Sequence, residues 1–166
     1  VLHEEAGGVM RVGLYSELAR RHVVRARELI AAEGFAPTPE GIRACRAAIL
    51  ARQSDPLLAR VTRGEDFYSL SGCRDLIFHV QEQRFTLPQI AGILDELDLR
   101  FVGFEWPDND APARYRSRFP DDRSLSDLAN WHRLETERPD TFVLMYQFWV
   151  RKPADLRMPA AAGIAS

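Results

Sequence analysis

The chain has 166 residues, 46% of them hydrophobic and 28% charged, with 10 Gly and 10 Pro; at this length a fold buries about two thirds of the unfolded surface, and the composition excludes collagen, coiled-coil rods and wholesale disorder. Its 22 basic and 24 acidic residues leave a net charge of -2, too little field to hold a polyanion, so nucleic acid is not an expected partner. No apolar run approaches the roughly 18 to 20 residues that span a bilayer and no secretion signal opens the chain, so no membrane partner is expected and the compartment expected is the cytoplasm.

Gly7-Gly8 introduces Val9 to Tyr15, where Met10, Val12 and Leu14 alternate at the strand period. From Glu17 to Glu33 the period becomes helical, with Leu18, Val23, Ala26 and Ile30 buried and Gly34 as a stop. Thr38-Pro39-Glu40 caps and opens a second helix with Ile42, Cys45 and Ile49 as its stripe, and Asp55-Pro56 opens a short third one ending before Gly64. Ser69 or Ser71 caps a fourth, whose Leu76, Ile77 and Val80 face inward, and Thr86-Leu87-Pro88-Gln89 is a capping box for a fifth. At Leu99 the period returns to two: Val102, Phe104 and Trp106 point one way, Phe101, Gly103 and Glu105 the other, until Pro107. Asp108-Asn109-Asp110 reads as a turn, Ala113 to Phe119 as a short helix, and Ser124 to Asp127 as the cap of a helix carrying Leu128, Trp131 and Leu134. Met145 to Val150, rich in aromatic and β-favouring residues, is a third strand. Residues 153–166, rich in Ala, Pro and Gly, are expected to fray as a disordered tail.

Three strands among so many helices make an α/β protein with few strands for its helices. A strand like Val9 to Leu14 ordinarily has neighbours on both edges and helices on both faces, so the sheet is expected to be part of a larger doubly wound one. Its open edge predicts self-association or a missing amino-terminal half.

Candidate chemistry follows from position. Tyr15 and Ser16 end a strand at its carboxyl edge, where open α/β sheets put ligands, or else cap the next helix. Asp75, His79 and Glu82 follow at i, i+4 and i+7 of a predicted helix, a spacing that suits a histidine general base oriented by a carboxylate, a weak metal site, or ordinary helix hydrogen bonding. Arg20, Arg21, His22, Arg25 and Arg27 form either an acidic partner's landing strip or a solvated helix face. Trp131, His132, Phe148 and Trp149 are core residues or a stacking surface. Cys45 and Cys73 have neither metal-ligand spacing nor an activating neighbour, so no metal is expected.

The segments Gly7 to Ser16, Asp66 to Ser69, His79 to Glu82, Leu99 to Phe104 and Met145 to Lys152 resemble the carboxy-terminal half of a bacterial class I S-adenosylmethionine-dependent methyltransferase, of the type associated with tetratricopeptide repeats. The resemblance covers most of residues 7–152. It implies a partial Rossmann-like sheet made of the last three strands, interrupted by a large helical insertion, with the final strand antiparallel and tucked between its neighbours. It further implies that residues 1–152 form the acceptor-side part of a methyltransferase domain, taking a small-molecule or protein acceptor. His79 and Tyr68 would be catalytic, and Tyr15, Ser16, Arg74, Asp75 and Glu82 would bind substrate. S-adenosylmethionine is the cofactor so implied, yet its glycine-rich turn after a first strand and the following acid are absent from this sequence, because Gly7-Gly8 precedes a strand. The competing expectation is a non-catalytic α/β interaction or scaffolding module that pairs through its open edge.

Overall fold

The computed structural model describes residues 8–79, 81–106 and 110–153. The expectations for Gly7, Val80, the Asp108-Asn109 part of the turn and the tail past Pro153 fall outside them. The protein is α/β, with one four-stranded mixed sheet. Strand β1 (Val9–Ser16) lies at its middle; β2 (Arg84–Phe85) runs parallel to it on one side, and β4 (Met145–Arg151) runs antiparallel on the other. Beyond β4 comes β3 (Arg100–Phe104), so β4 sits between two strands that run alike. The expected three strands are all present; β2, two residues long, had no pattern to betray it.

Helix α1 (Arg21–Glu33) starts later than its apolar period suggests. The Ser16 hydroxyl accepts the Ala19 N–H at 3.0 Å and the Ser16 carbonyl accepts the Arg20 N–H, so the chain first makes a turn. The helix ends where foreseen, at Gly34, whose φ of 70° is the left-handed stop that glycine adopts without steric cost. Helices α2 (Pro39–Leu50) and α3 (Pro56–Val61) carry the predicted caps: Thr38 accepts from Gly41, and Asp55 from Leu57 and Leu58. After a 3-10 turn (Glu65–Tyr68), α4 (Leu70–Cys73) passes into a π-helical stretch (Arg74–Phe78) and the chain turns extended at His79. The helix expected to carry Asp75, His79 and Glu82 on one face therefore does not exist as such.

Helices α5 (Leu87–Glu96), α6 (Ala111–Arg118) and α7 (Leu128–Glu137) cover one face of the sheet. Leu87, Ile90, Tyr115, Trp131 and Leu134 pack there against Met10, Val12, Leu14, Phe101, Phe104, Tyr146, Phe148 and Val150. Trp131 is stacked on Tyr115 at 4.0 Å, and its indole N–H donates to the Leu125 carbonyl at 2.9 Å. A bulge between Phe101 and Gly103 corrects the predicted alternation of β3: it turns both Phe101 and Phe104 to the core, 4.9 Å apart, and leaves Val102 exposed.

The second cluster of buried residues, from α1 to the π-helical stretch, is a core of its own: Val23, Ala26, Ile42, Cys45, Ile49, Leu58, Phe67 and Ile77 pack together without strand residues. The expected second helical layer thus does not blanket the sheet. Val9, Arg11, Gly13 and Tyr15 of β1 and Trp149 and Arg151 of β4 remain exposed on the face opposite α5–α7, and the helical lobe meets that face at the carboxyl end of β1. No helix among the described residues is long and apolar enough to cross a membrane.

Candidate functional site

Where β1 ends and β4 begins, the helical lobe and the sheet enclose a cleft of about 490 Å3 lined by Tyr15, Arg20, Asp66, Gly72, Asp75, Leu76 and residues 143–145 and 147. Strand alternation explains the sheet's share. Tyr15 is opposite Met145 in the ladder, and both point into the cleft; Ser16 and Tyr146, one residue on in each strand, point the other way into the core. The helical share comes from the 3-10 turn and the π-helical stretch, a widened turn of a kind frequent at functional sites. Gly72 is required there, because a Cβ at that position would lie 2.7 Å from the Asp66 carbonyl oxygen.

Arg20 floors the cleft. Its guanidinium lies 4.5 Å from the centre of the Tyr15 ring and is fastened to the buried Glu82 through two nitrogens, Nε to Oε1 at 3.1 Å and a second bond to Oε2. Arg27 also reaches Glu82 at 3.1 Å and donates to the Leu76 carbonyl. Burial alone would push the Glu82 carboxyl up, but the hydrogen bonds and charges of Arg20 and Arg27 hold it below its ordinary range. The cleft's cation is thereby neutralised from beneath, while Asp66 and Asp75 stand without an ion pair or hydrogen bond among the described residues.

Beneath the cleft lies a buried carboxylate, Glu135 of α7. The Ser16 hydroxyl donates to its Oε1 at 2.5 Å, and the Tyr146 hydroxyl lies 2.9 and 2.7 Å from its two oxygens. All three side chains are fully buried, and no cation pairs with Glu135 among the described residues. Burial pushes its carboxyl up, against the opposing pull of the two hydroxyl hydrogen bonds.

The predicted site residues separate into three groups. Tyr15 and Asp75 line the cleft. Ser16 and Glu82 are in the layer below, tied to Glu135 and to Arg20, and are closed to a ligand. Arg74 lines a neighbouring depression with Pro37, Pro39 and Ile42; Tyr68 is exposed with its hydroxyl on the Thr62 carbonyl; His79 is exposed just after the π-helical stretch; none of the three lines the cleft. The chain leaves the helix at His79, and Glu82, three residues on, pairs with Arg20 and Arg27.

The arginine run on α1 turns inward as well. Arg20 and Arg27 serve Glu82, Arg25 serves Asp55 at 2.8 Å, and His22 is buried, its pKa lowered to about 4 by burial and the nearby Arg60, Arg20 and Arg21. Of the four aromatic-segment candidates, Trp131 and Phe148 are core and Trp149 is exposed on the open face. Burial pushes the Cys45 thiol up to about 12, which leaves it inert as a nucleophile at neutral pH. Among the described residues, no group of three or more His, Cys, Asp and Glu is arranged to hold a metal ion.

Arg20 was singled out only as part of a basic run, not as the cleft's floor; Asp66, Gln147 and Glu135 as site-forming residues were not foreseen. Only Glu135 left a trace: it is an acid on the apolar stripe of its helix, four residues after Trp131. No protein-family model matches the chain, and no curated protein matches it.

Proposed function

We propose that the chain is the acceptor-side portion of an S-adenosylmethionine-dependent methyltransferase built on a Rossmann-like sheet, with the cleft at the carboxyl end of β1 receiving the methyl acceptor. The observation that carries this reading is the strand order β1-β4-β3, in which an antiparallel last strand lies between two strands of like direction. That is the order the sequence resemblance requires, with the helices of residues 21–96 inserted between β1 and β3. A cleft at the carboxyl end of a central strand is also where open α/β sheets bind their ligands.

The residues present do not fit the cofactor itself. The turn after β1, Glu17 to Arg20, contains no glycine, and Gly8 precedes the strand; a glycine-rich turn to cradle the cofactor's ribose or methionine carboxylate is missing from the described residues. What this chain's own residues contribute in this reading is acceptor binding. Tyr15, Leu76 and Met145 exclude water along one wall, and the free carboxylates of Asp66 and Asp75 accept hydrogen bonds from the acceptor's O–H or N–H group and take up its proton. Tyr68 and His79 stand outside the cleft, and proton handling passes in this reading to the two carboxylates.

The test is calorimetric titration of the full-length protein that carries this chain with S-adenosylmethionine, followed by methyl incorporation from labelled cofactor. One-to-one binding, with incorporation lost in Tyr15→Ala and Asp75→Asn but melting unchanged, supports the reading; no heat at millimolar cofactor overturns it. A second reading, an interaction module, is favoured by one observation: β2 pairs only with Tyr15 and Ser16, leaving the outer edge of Val9 to Leu14 without a partner strand among the described residues. It requires concentration-dependent self-association or capture of a partner strand, and a monodisperse monomer at high concentration by light scattering counts against the self-associating form.

A further inference from the structure

The turn that forms the outer wall of the cleft is strained. Leu144 has φ of 68°, and the Met145 N–H donates to the Val143 carbonyl at 2.8 Å across it. A three-residue turn closed in this way around a positive φ is the rare and costly form of γ-turn, and for a leucine the left-handed region costs about 1–2 kcal/mol. Such a conformation persists only where its surroundings over-determine it, and such sites cluster at ligand clamps. Val143 and Leu144 are both exposed, so packing does not impose it.

What does hold the turn is visible on either side of it. The Leu144 carbonyl accepts the Ser16 N–H at 3.2 Å. The Ser16 hydroxyl, oriented by accepting the Ala19 N–H, donates a hydrogen bond to Glu135, and Tyr146, two residues past Leu144, closes on the same carboxylate. The carboxylate of one helix therefore fastens the last residue of β1, whose N–H holds the Leu144 carbonyl, and the second residue of β4, where the strained turn runs into the strand. Among the described residues Glu135 has no counter-cation to account for its complete burial, and the two hydroxyls are its partners.

We propose that Glu135 is a positioning residue for the cleft: by clamping Ser16 and Tyr146 it keeps the Val143–Leu144–Met145 turn in its left-handed form and so sets the wall against which a ligand lies. The clamp acts on the cleft whichever ligand the cleft receives, so the inference does not depend on the methyl-transfer reading and is tested without an activity assay.

The experiment uses the whole chain with 13C-labelled methionine methyls. Met145 lines the cleft with its methyl against Gly13, whereas Met10 faces the core and serves as the control. In Tyr146→Phe, the Met145 resonance moves or broadens while Met10 keeps its place, and exchange of the Ser16 amide quickens about tenfold, as expected when a hydrogen bond's net contribution is lost. Adding Leu144→Gly returns the Met145 resonance towards its native position, because glycine adopts a positive φ without steric cost. Ser16→Ala gives the same pattern and replaces Tyr146→Phe should that variant not fold. An unmoved Met145 resonance in both variants overturns the proposal. So does joint displacement of Met10 and Met145, which marks a general loosening of the core, and so does a double variant no nearer to native than the single one.

Discussion

Replacing His22 with leucine should remove most of the acid sensitivity of the fold between neutral pH and about pH 5. His22 lies on the buried face of α1, its Nδ1 unpartnered, with the guanidinium groups of Arg60, Arg20 and Arg21 nearby. Burial first, and those cations second, lower its pKa from 6.5 to about 4 against the opposing pull of the Ala19 backbone. In the interval between these two values the unfolded chain carries a proton on this imidazole and the folded chain does not. Stability therefore rises with pH across the interval and is lost as pH falls from 6.5 towards 4. The full gap corresponds to about 3 kcal/mol, and at pH 5 the imidazole has cost about 2 kcal/mol of it. Leucine has similar volume, favours helix and carries no orphaned polar atom at the site. Urea unfolding of both proteins at about pH 7.5 and pH 5 isolates the effect, since the other titrating groups, Glu135 among them, are common to both. The stability difference between the two proteins should shift by about 2 kcal/mol in favour of the variant on acidification. A difference that stays constant within about 0.5 kcal/mol, the usual bound for independent effects, would show that the imidazole is solvated and protonates freely, and would refute the reasoning.

Glu82→Ala should destabilise the chain by about 3–5 kcal/mol, since it leaves Arg20 buried and Arg27 half-buried without their carboxylate; urea unfolding measures it, and a loss under about 1 kcal/mol would show that water already solvates the cluster. Trp131→Ala should cost about 3–5 kcal/mol, because the indole fills the space between Tyr115, Trp106 and Phe142 and its N–H satisfies the Leu125 carbonyl; near-wild-type melting would mean that the core collapses into the void. Gly34→Ala should cost about 1 kcal/mol through the positive φ alone, because a Cβ there meets open space; a change of no more than a few tenths by chemical denaturation would show that the helix end simply frays one turn earlier.

Local rules were enough for the elements that rest on local chemistry. Thr38-Pro39, Asp55-Pro56 and Thr86 with Gln89 cap the helices they were read to cap, and the cap read over Ser124 to Asp127 narrows to Asp127, because a cap is satisfied within three or four residues of itself. The strands Val9–Ser16 and Met145–Arg151 were equally legible from period and composition. One residue of the cleft followed from the same reading: Tyr15 was placed at the carboxyl end of its strand by alternation, and the structure has it lining the cleft.

Only tertiary structure decided the rest, because the decisive interactions join residues far apart in the chain. Arg20 and Glu82 lie 62 residues apart, and Glu82 pairs with Arg20 beyond the end of the helix that periodicity would have carried through His79; a helical spacing of carboxylate, histidine and carboxylate on paper became three residues with different neighbours. Ser16 and Glu135 are 119 residues apart, so the clamp under the cleft has no signature beyond one acid on an apolar stripe. The bulge in β3 answers to the pairing with β4, and the two-residue β2 exists only because β1 offers it an edge. Hydrogen-bonded periodicity is written along the chain, whereas the pairing of a buried charge is settled by which groups can reach it once the layers have packed.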